Sequence, residues 1–252
     1  MTDPLVQGGM LFLAGLVAGT LNVIAGGGSM LTLPVMIFLG LPPAVANGTN
    51  RVAILVQNIG ATSSFRRRGL ISAPWLRLVV LPTLLGAILG TLAALRVGDV
   101  AFQRILAVML VGFTAWMLWN PLVPSRDNDA PPPPSRQRPL FAALFLMVGF
   151  YGGFIQAGVG FIILAATSLG GLNLIRGNAV KVALVLAYTP LSLALFAWQG
   201  KVDWAMGAAL AAGNLLGALA GVRLQVLKGH RWVRGVVTIT ILAFAVRLLI
   251  TS

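Results

Sequence analysis

The chain contains no cysteine and no glutamate, one histidine and five aspartates. Without cysteine there is no disulfide, no thiolate nucleophile and no Cys-based metal site. Asp3, Asp99, Asp127, Asp129 and Asp203 all fall at the N-terminus, in short loops or in a central polar segment, so no carboxylate lies inside an apolar run. Cation carriers and proton relays place Asp or Glu within the membrane. Their lack points to anionic or neutral cargo, and any coupling proton or ion has to ride on the substrate or on a non-carboxylate group. The lone His230 sits in a basic loop. With no Gly-x-Ser-Gly, no intramembrane Asp pair and no His-Glu-x-x-His, the residues of an intramembrane hydrolase are missing. The expectation is a protein that is not an enzyme and needs no metal or cofactor.

Charge of either sign is scarce as well: 9% of 252 residues, against 58% hydrophobic and a mean hydropathy of +0.93. Soluble domains carry about 25% charged residues, so this composition belongs to an integral membrane protein. The net charge of +13 does not indicate nucleic acid, because the basic residues gather at the ends of apolar segments, where they act as topology signals and headgroup anchors. Trp75, Trp116, Trp119, Trp198, Trp204 and Trp232 also fall near segment ends and read as interfacial anchors.

Apolar segments run over 8–24, 30–39, 43–65, 74–95, 101–119, 140–155, 161–169, 179–198, 202–222 and 232–250. Most approach the roughly 20 residues needed to cross a bilayer. The segments 30–39 and 161–169 are too short and read as re-entrant. Residues 121–139, PLVPSRDNDAPPPPSRQRP, form a proline-rich polar linker. It divides a first transmembrane repeat, 1–120, from a second, 140–252.

The two parts resemble each other. Gly15-x-x-x-Gly19-x-x-Asn22 matches Gly149-x-x-x-Gly153-x-x-Gln156, and AGGGS at 25–29 matches AGVGF at 157–161 with a small slip. Gly40-Leu41 matches Gly171-Leu172. Asn50-Arg51-Val52 falls where Val180-Lys181-Val182 falls, and Gly86-x-x-x-Gly90 pairs with Gly213-x-x-x-Gly217. The ordered matches indicate a duplication. If each glycine-broken pair is a hairpin entering and leaving on one side, the second repeat is inverted, and eleven loop Lys and Arg share one side against four on the other. Eight simple alternating spans give nine against seven. The positive-inside rule favours inversion.

Candidate site residues follow from the breaks. Gly26, Gly27 and Gly28 interrupt the first helix-like run, and Gly158 and Gly160 interrupt its counterpart; glycine weakens helices. In lipid such backbone survives only against protein or a cavity, which is where transporters build substrate sites. Backbone N–H groups there, with Ser29 as an N-cap, suit an oxyanion. The alternative is tight hairpin packing. Arg51 and Lys181 sit several residues inside their segments, and intramembrane cations are costly and usually functional; the alternative is snorkelling. Asn22, Asn47, Asn50 and Gln156 offer amides to a substrate or to helix–helix bonding. Thr49 and Asn178 join them on position alone. The spaced glycines at 86, 90, 213 and 217 read as packing faces.

The stretch G-x-x-A-G-x-x-N-x-x-A-G-G-G-S-x-L-x-x-P at 15–34, followed by Gly40-Leu41-Pro42 and Ala46-Asn47-Gly48-Thr49-Asn50, resembles the sulfite exporter TauE/SafE family, also called the toluene sulfonate uptake permeases. The resemblance spans the chain and implies secondary transport of a sulfur-containing anion, sulfite or an organosulfonate. The expectation is thus an all-α multi-pass protein of the cytoplasmic membrane, with about eight hydrophobic segments in two inverted repeats carrying re-entrant hairpins. Its partners would be a small anionic substrate and the lipid bilayer, with a homo-oligomer left open. A passive anion channel would want the same features.

Overall fold

The computed structural model describes residues 3–24, 26–119 and 133–224, with backbone alone at 4 and 113–119. Within these the secondary structure is helical: α1 Pro4–Ile24, α2 Ser29–Phe38, α3 Pro43–Arg67, α4 Ala73–Arg96, α5 Asp99–Trp119, a single 3₁₀ turn at Ser135–Gln137, α6 Arg138–Phe154, α7 Val159–Leu169, α8 Leu174–Trp198 and α9 Trp204–Leu224. The protein is an all-α membrane protein. Among the described residues, four helices are long and apolar enough to cross a bilayer: α1 from Leu5, α4, α8 and α9. At 10 and 11 residues, α2 and α7 reach only about 15 Å, half of a hydrocarbon core of about 30 Å. The polar linker at 121–139 lies largely outside the described residues, as does the run 232–250. What is described of the linker ends earlier than the sequence pattern suggests, because α6 begins at Arg138 with proline next to it in the first turn.

The three described aspartates have found one job. Asp3 Oδ1 accepts from Leu5 N at 2.9 Å, Asp99 Oδ1 from Ala44 N at 3.0 Å and Asp203 Oδ1 from Met206 N at 2.9 Å. They cap the starts of α1, α3 and α9, where unpaired N–H groups and the helix dipole favour an anion. Asn173 does the same for α8, accepting from Arg176 N at 2.9 Å. That cap starts α8 at Leu174, five residues ahead of the expected apolar segment.

Two glycine seams hold the bundle. A Cβ on Gly86 would stand 2.0 Å from Leu146 O, and one on Gly90 1.9 Å from Phe150 O, so α4 lies backbone to backbone along α6. A Cβ on Gly213 would stand 2.0 Å from Phe12 O, and one on Gly217 2.1 Å from Leu16 O, so α9 lies along α1 in the same way. Phe12 and Leu16 precede Leu146 and Phe150 by 134 positions, and Gly86 and Gly90 precede Gly213 and Gly217 by 127. The contacts of one seam are therefore repeated in the other, and each helix pair runs parallel. Each first helix is held by the later glycine helix of the other half. Between the seams α3 packs on α8, and these two run antiparallel: Gly48 near the start of α3 abuts Lys201 just past the end of α8.

The structure also sets the register between the halves. Gly40 and Gly171, with φ of +97° and +96°, close α2 and α7 by equivalent bonds, Leu41 N to Met36 O at 3.1 Å and Leu172 N to Thr167 O at 3.0 Å. α3 and α8 then start 131 positions apart, and each has 25 residues. This register matches Lys181 with Asn50, and Arg51 with Val182. The sequence comparison, which matched Arg51 with Lys181, was one residue out, and one residue is about 100° around a helix. Trp75 is a second correction. It is fully buried, edge-on to Phe141 at 5.6 Å in the core between α4 and α6, whereas Trp198 and Trp204 are exposed at the ends of α8 and α9.

Candidate functional site

Four residues separate α1 from α2, and four separate α6 from α7. The two breaks touch. A Cβ on Gly160 would lie 2.4 Å from Gly26 Cα, and one on Gly26 would lie 2.5 Å from Gly160 C. Gly26, at φ +95°, tolerates its left-handed backbone because it has no side chain. Gly158, at φ +76°, caps α7 in the same conformation. Gly27 faces the Phe161 ring, which would stand 2.7 Å from a Cβ there. Gly28 is wedged against Ala18 O and Asn22. It is also the residue at the N-cap of α2, with no side chain capping the helix. Ser29 is thus not the N-cap; it is the first helical residue, and its Oγ accepts from Asn50 Nδ2 at 3.0 Å.

The second break carries a strained residue. Gln156 has φ +63°, a left-handed conformation that costs an L-residue with a side chain about 1–2 kcal/mol. Its side chain is held on both sides: Oε1 accepts from the Tyr188 hydroxyl at 3.0 Å and from Arg51 Nη1 at 3.4 Å. Tyr151 adds a bond from its hydroxyl to Ala157 O, pinning the next residue of the break.

Both buried cations bind the broken helix of the other half. Arg51, fully buried, donates from Nη2 to Gly153 O at 2.5 Å and to Gly152 O at 3.3 Å, at the end of α6. Its guanidinium also lies over the Phe196 ring, 4.9 Å from the centroid, and its Nε has no partner. Lys181, 2% exposed, donates to Asn22 O at 2.7 Å and Val23 O at 3.1 Å at the end of α1, and to Asn178 Oδ1 at 2.6 Å. Asn178 Nδ2 in turn donates to Ile24 O at 3.2 Å. Asn47 plays the matching part in the first half, donating to Phe154 O at 2.8 Å. Orphan carbonyls at the ends of α1 and α6, which water would take in a soluble protein, are taken here by side chains of α8 and α3. Since the described aspartates cap helix starts elsewhere, the interior carries these two cations with no carboxylate partner among the described residues.

Of the sequence-predicted residues, the structure brings Asn22, Gly26, Gly27, Gly28, Ser29, Asn47, Asn50, Arg51, Gln156, Gly158, Gly160, Asn178 and Lys181 to the two breaks or the helices that clasp them. Asn50 is engaged through both amide atoms, with Thr32 donating to its Oδ1 at 2.7 Å. Thr49 is not brought there: its Oγ1 accepts from Asp203 N at 2.8 Å and ties α3 to the start of α9. Sequence reasoning passed over Tyr188, Gln57, Thr91 and Ser192. Thr91 and Ser192 share a hydrogen bond at 2.8 Å, and Thr91 also donates to Gly153 O at 3.1 Å. The available signal was a polar residue in the middle of an apolar run, and a tyrosine in a chain that has only two.

The family described as Sulfite exporter TauE/SafE matches residues 11–248. A probable membrane transporter protein of Haemophilus influenzae is 30% identical over 235 residues, 91% of this chain and 89% of its own. The probable membrane transporter protein YfcA of Escherichia coli K12 is 32% identical over 258 residues, 100% of this chain and 93% of its own. The probable membrane transporter protein ORF9 of a Sinorhizobium species is 31% identical over 242 residues, 95% and 91% of the two chains. No solved structure matches the chain.

Proposed function

The chain belongs to the TauE/SafE sulfite exporter family, and from that premise we propose a secondary transporter that carries a small sulfur-containing anion, of the sulfite or organosulfonate class, across the cytoplasmic membrane. The observation that carries the choice of an anion is the pair of buried cations at the breaks, Arg51 and Lys181, without a carboxylate partner among the described residues. Uncompensated charge is expensive in a low-dielectric interior, and a substrate of opposite sign lowers that cost.

The substrate sits where the two glycine-broken repeats meet, against Gly26, Gly27 and Gly28 on one side and Gln156, Gly158 and Gly160 on the other. Ser29, Asn47, Asn50 and Asn178 hold the breaks in shape, while Arg51 and Lys181 supply the positive field. Thr49 contributes through the α3–α9 connection. The antiparallel run of the equivalent helices α3 and α8 supports reading the halves as inverted repeats in a multi-pass topology, the arrangement in which one half rocks against the other around a central site.

The test is sulfite flux in proteoliposomes of the full chain. A carrier gives saturable uptake and counterflow by internal unlabelled sulfite. Absence of flux for sulfite and for methanesulfonate overturns the proposed class of substrate, and flux without saturation or counterflow overturns the carrier.

A further inference from the structure

Gln57 is fully buried on α3, and neither its amide nitrogen nor its amide oxygen has a hydrogen-bond partner. Buried amides are nearly always paired, so this one demands an explanation. Two independent observations say what it faces. Along α3, Gln57 shares one face with Asn50, two turns before it, and Ala61, one turn after it. Asn50 bonds Ser29 at the start of α2, and Ala61 packs in a cluster with Val23 near the end of α1. Gln57 therefore lies opposite the segment that joins α1 to α2.

The register between the halves gives the same answer. Tyr188 is the equivalent of Gln57, 131 positions on, and Gln156 is the equivalent of Asn22, 134 positions on. In the second half this pair is closed, the Tyr188 hydroxyl donating to Gln156 Oε1 at 3.0 Å. In the first half the corresponding pair is open: Gln57 is unpartnered, and the half-buried Asn22 side chain bonds no described residue. Across the glycine seam from Asn22's helix, the buried Asn214 also keeps an unpartnered Oδ1. The break at Gly28–Ser29 places the N-terminus of α2 at the same spot, with its positive dipole end, although Met30 N and Leu31 N already bond back to Gly27 O and Gly28 O at 3.0 Å each.

We infer that Gln57 of α3 and Asn22 of α1 form a substrate-contacting amide pair that holds a small oxyanion at the N-terminus of α2. The two halves then divide the work. The second-half break is closed by its own tyrosine and serves as a fixed wall, and the first-half break keeps its amides for the substrate. Each amide NH₂ donates to an oxygen of the anion, and the Gln57 carbonyl oxygen accepts from a protonated oxygen or a bound water. This inference rests on the proposed anion transport and assigns the residues that recognise the cargo.

The experiment titrates sulfite into the detergent-purified full chain, for the native protein and for Gln57→Leu, Gln57→Glu and Asn22→Ala. Gln57→Leu removes an unmatched buried amide, so it should fold at least as stably as the native chain while binding sulfite about tenfold more weakly, the usual loss for a hydrogen bond to a charged group. Gln57→Glu should bind more weakly still, because like charge faces the anion. Asn22→Ala truncates a half-buried side chain and should weaken sulfite by a similar factor, providing the reading if Gln57→Leu does not fold. Native affinity in folded Gln57→Leu, or in Asn22→Ala, overturns the inference and leaves the transport proposal standing. No sulfite or methanesulfonate binding by the native protein overturns the transport proposal itself.

Discussion

The contact between the two breaks offers a sharp test in Gly160→Ala. The added Cβ would stand 2.4 Å from Gly26 Cα and 2.7 Å from Gly26 O, all backbone and none of it the end of a flexible side chain. Restoring an ordinary carbon–carbon separation of about 3.5–4.0 Å requires the breaks to part by more than 1 Å. Overpacking of this kind costs about 1–3 kcal/mol. Gly160 also lies in the first turn of α7, where alanine would otherwise gain up to about 1 kcal/mol in helix propensity, so the net loss of stability should be about 0–3 kcal/mol. The larger effect should fall on binding, because a displacement of about 1 Å at a preorganised site is enough to cost it most of its function. Gly8→Ala, where nothing lies within 4 Å, serves as the control. Thermal unfolding in detergent and sulfite titration would be read for both variants. Gly160→Ala should lose sulfite affinity out of proportion to its change in unfolding temperature, and Gly8→Ala should keep both. Native affinity in Gly160→Ala would refute the reasoning that the contact of the two breaks shapes the site.

Further outcomes follow from the same geometry. Arg51→Met removes the Arg51 donor from the carbonyl of Gly152 and leaves that of Gly153 with Thr91 in place of two donors, at about 1–3 kcal/mol for a buried group left unpaired; it should insert in the membrane, unfold at lower temperature and fail to bind sulfite. Arg51→Lys should recover only part of the binding, since a point charge replaces the planar fork, and sulfite titration of the two variants side by side checks this. Asp99→Ala removes the cap on α3 seen at Ala44 N and should cost about 0.5–2 kcal/mol with sulfite affinity retained, measured by thermal unfolding with and without sulfite. The chain has no native cysteine, so Arg68→Cys and Gln199→Cys are clean single probes of the loops after α3 and α8. Inverted halves put them on opposite faces of the membrane, and labelling of both from one side would restore simple alternating spans.

Composition alone determined that this chain lives in a membrane, because 58% hydrophobic residues with so few charges cannot be solvated as a soluble surface. The glycine triplet determined that a helix breaks after α1, since glycine is the residue that makes interruption cheap, and the weaker match at 157–161 located its counterpart. Spacing of Gly86, Gly90, Gly213 and Gly217 determined the packing faces. What each seam packs against was beyond the sequence: that α4 holds α6, and α9 holds α1, depends on contacts between residues 60 or about 200 positions apart. The register of Lys181 was misread for a related reason. Weak similarity tolerates a slip of one residue, whereas the turns at Gly40 and Gly171 do not. Partners were likewise decided only in three dimensions. Nothing local to Arg51 says that it serves the carbonyls of Gly152 and Gly153, nothing local to Trp75 says that it lies in the core, and Gln57 reads as one polar residue among many. Its burial with an empty amide is a property of the folded protein, because only packing removes water from a side chain and leaves it waiting for another partner.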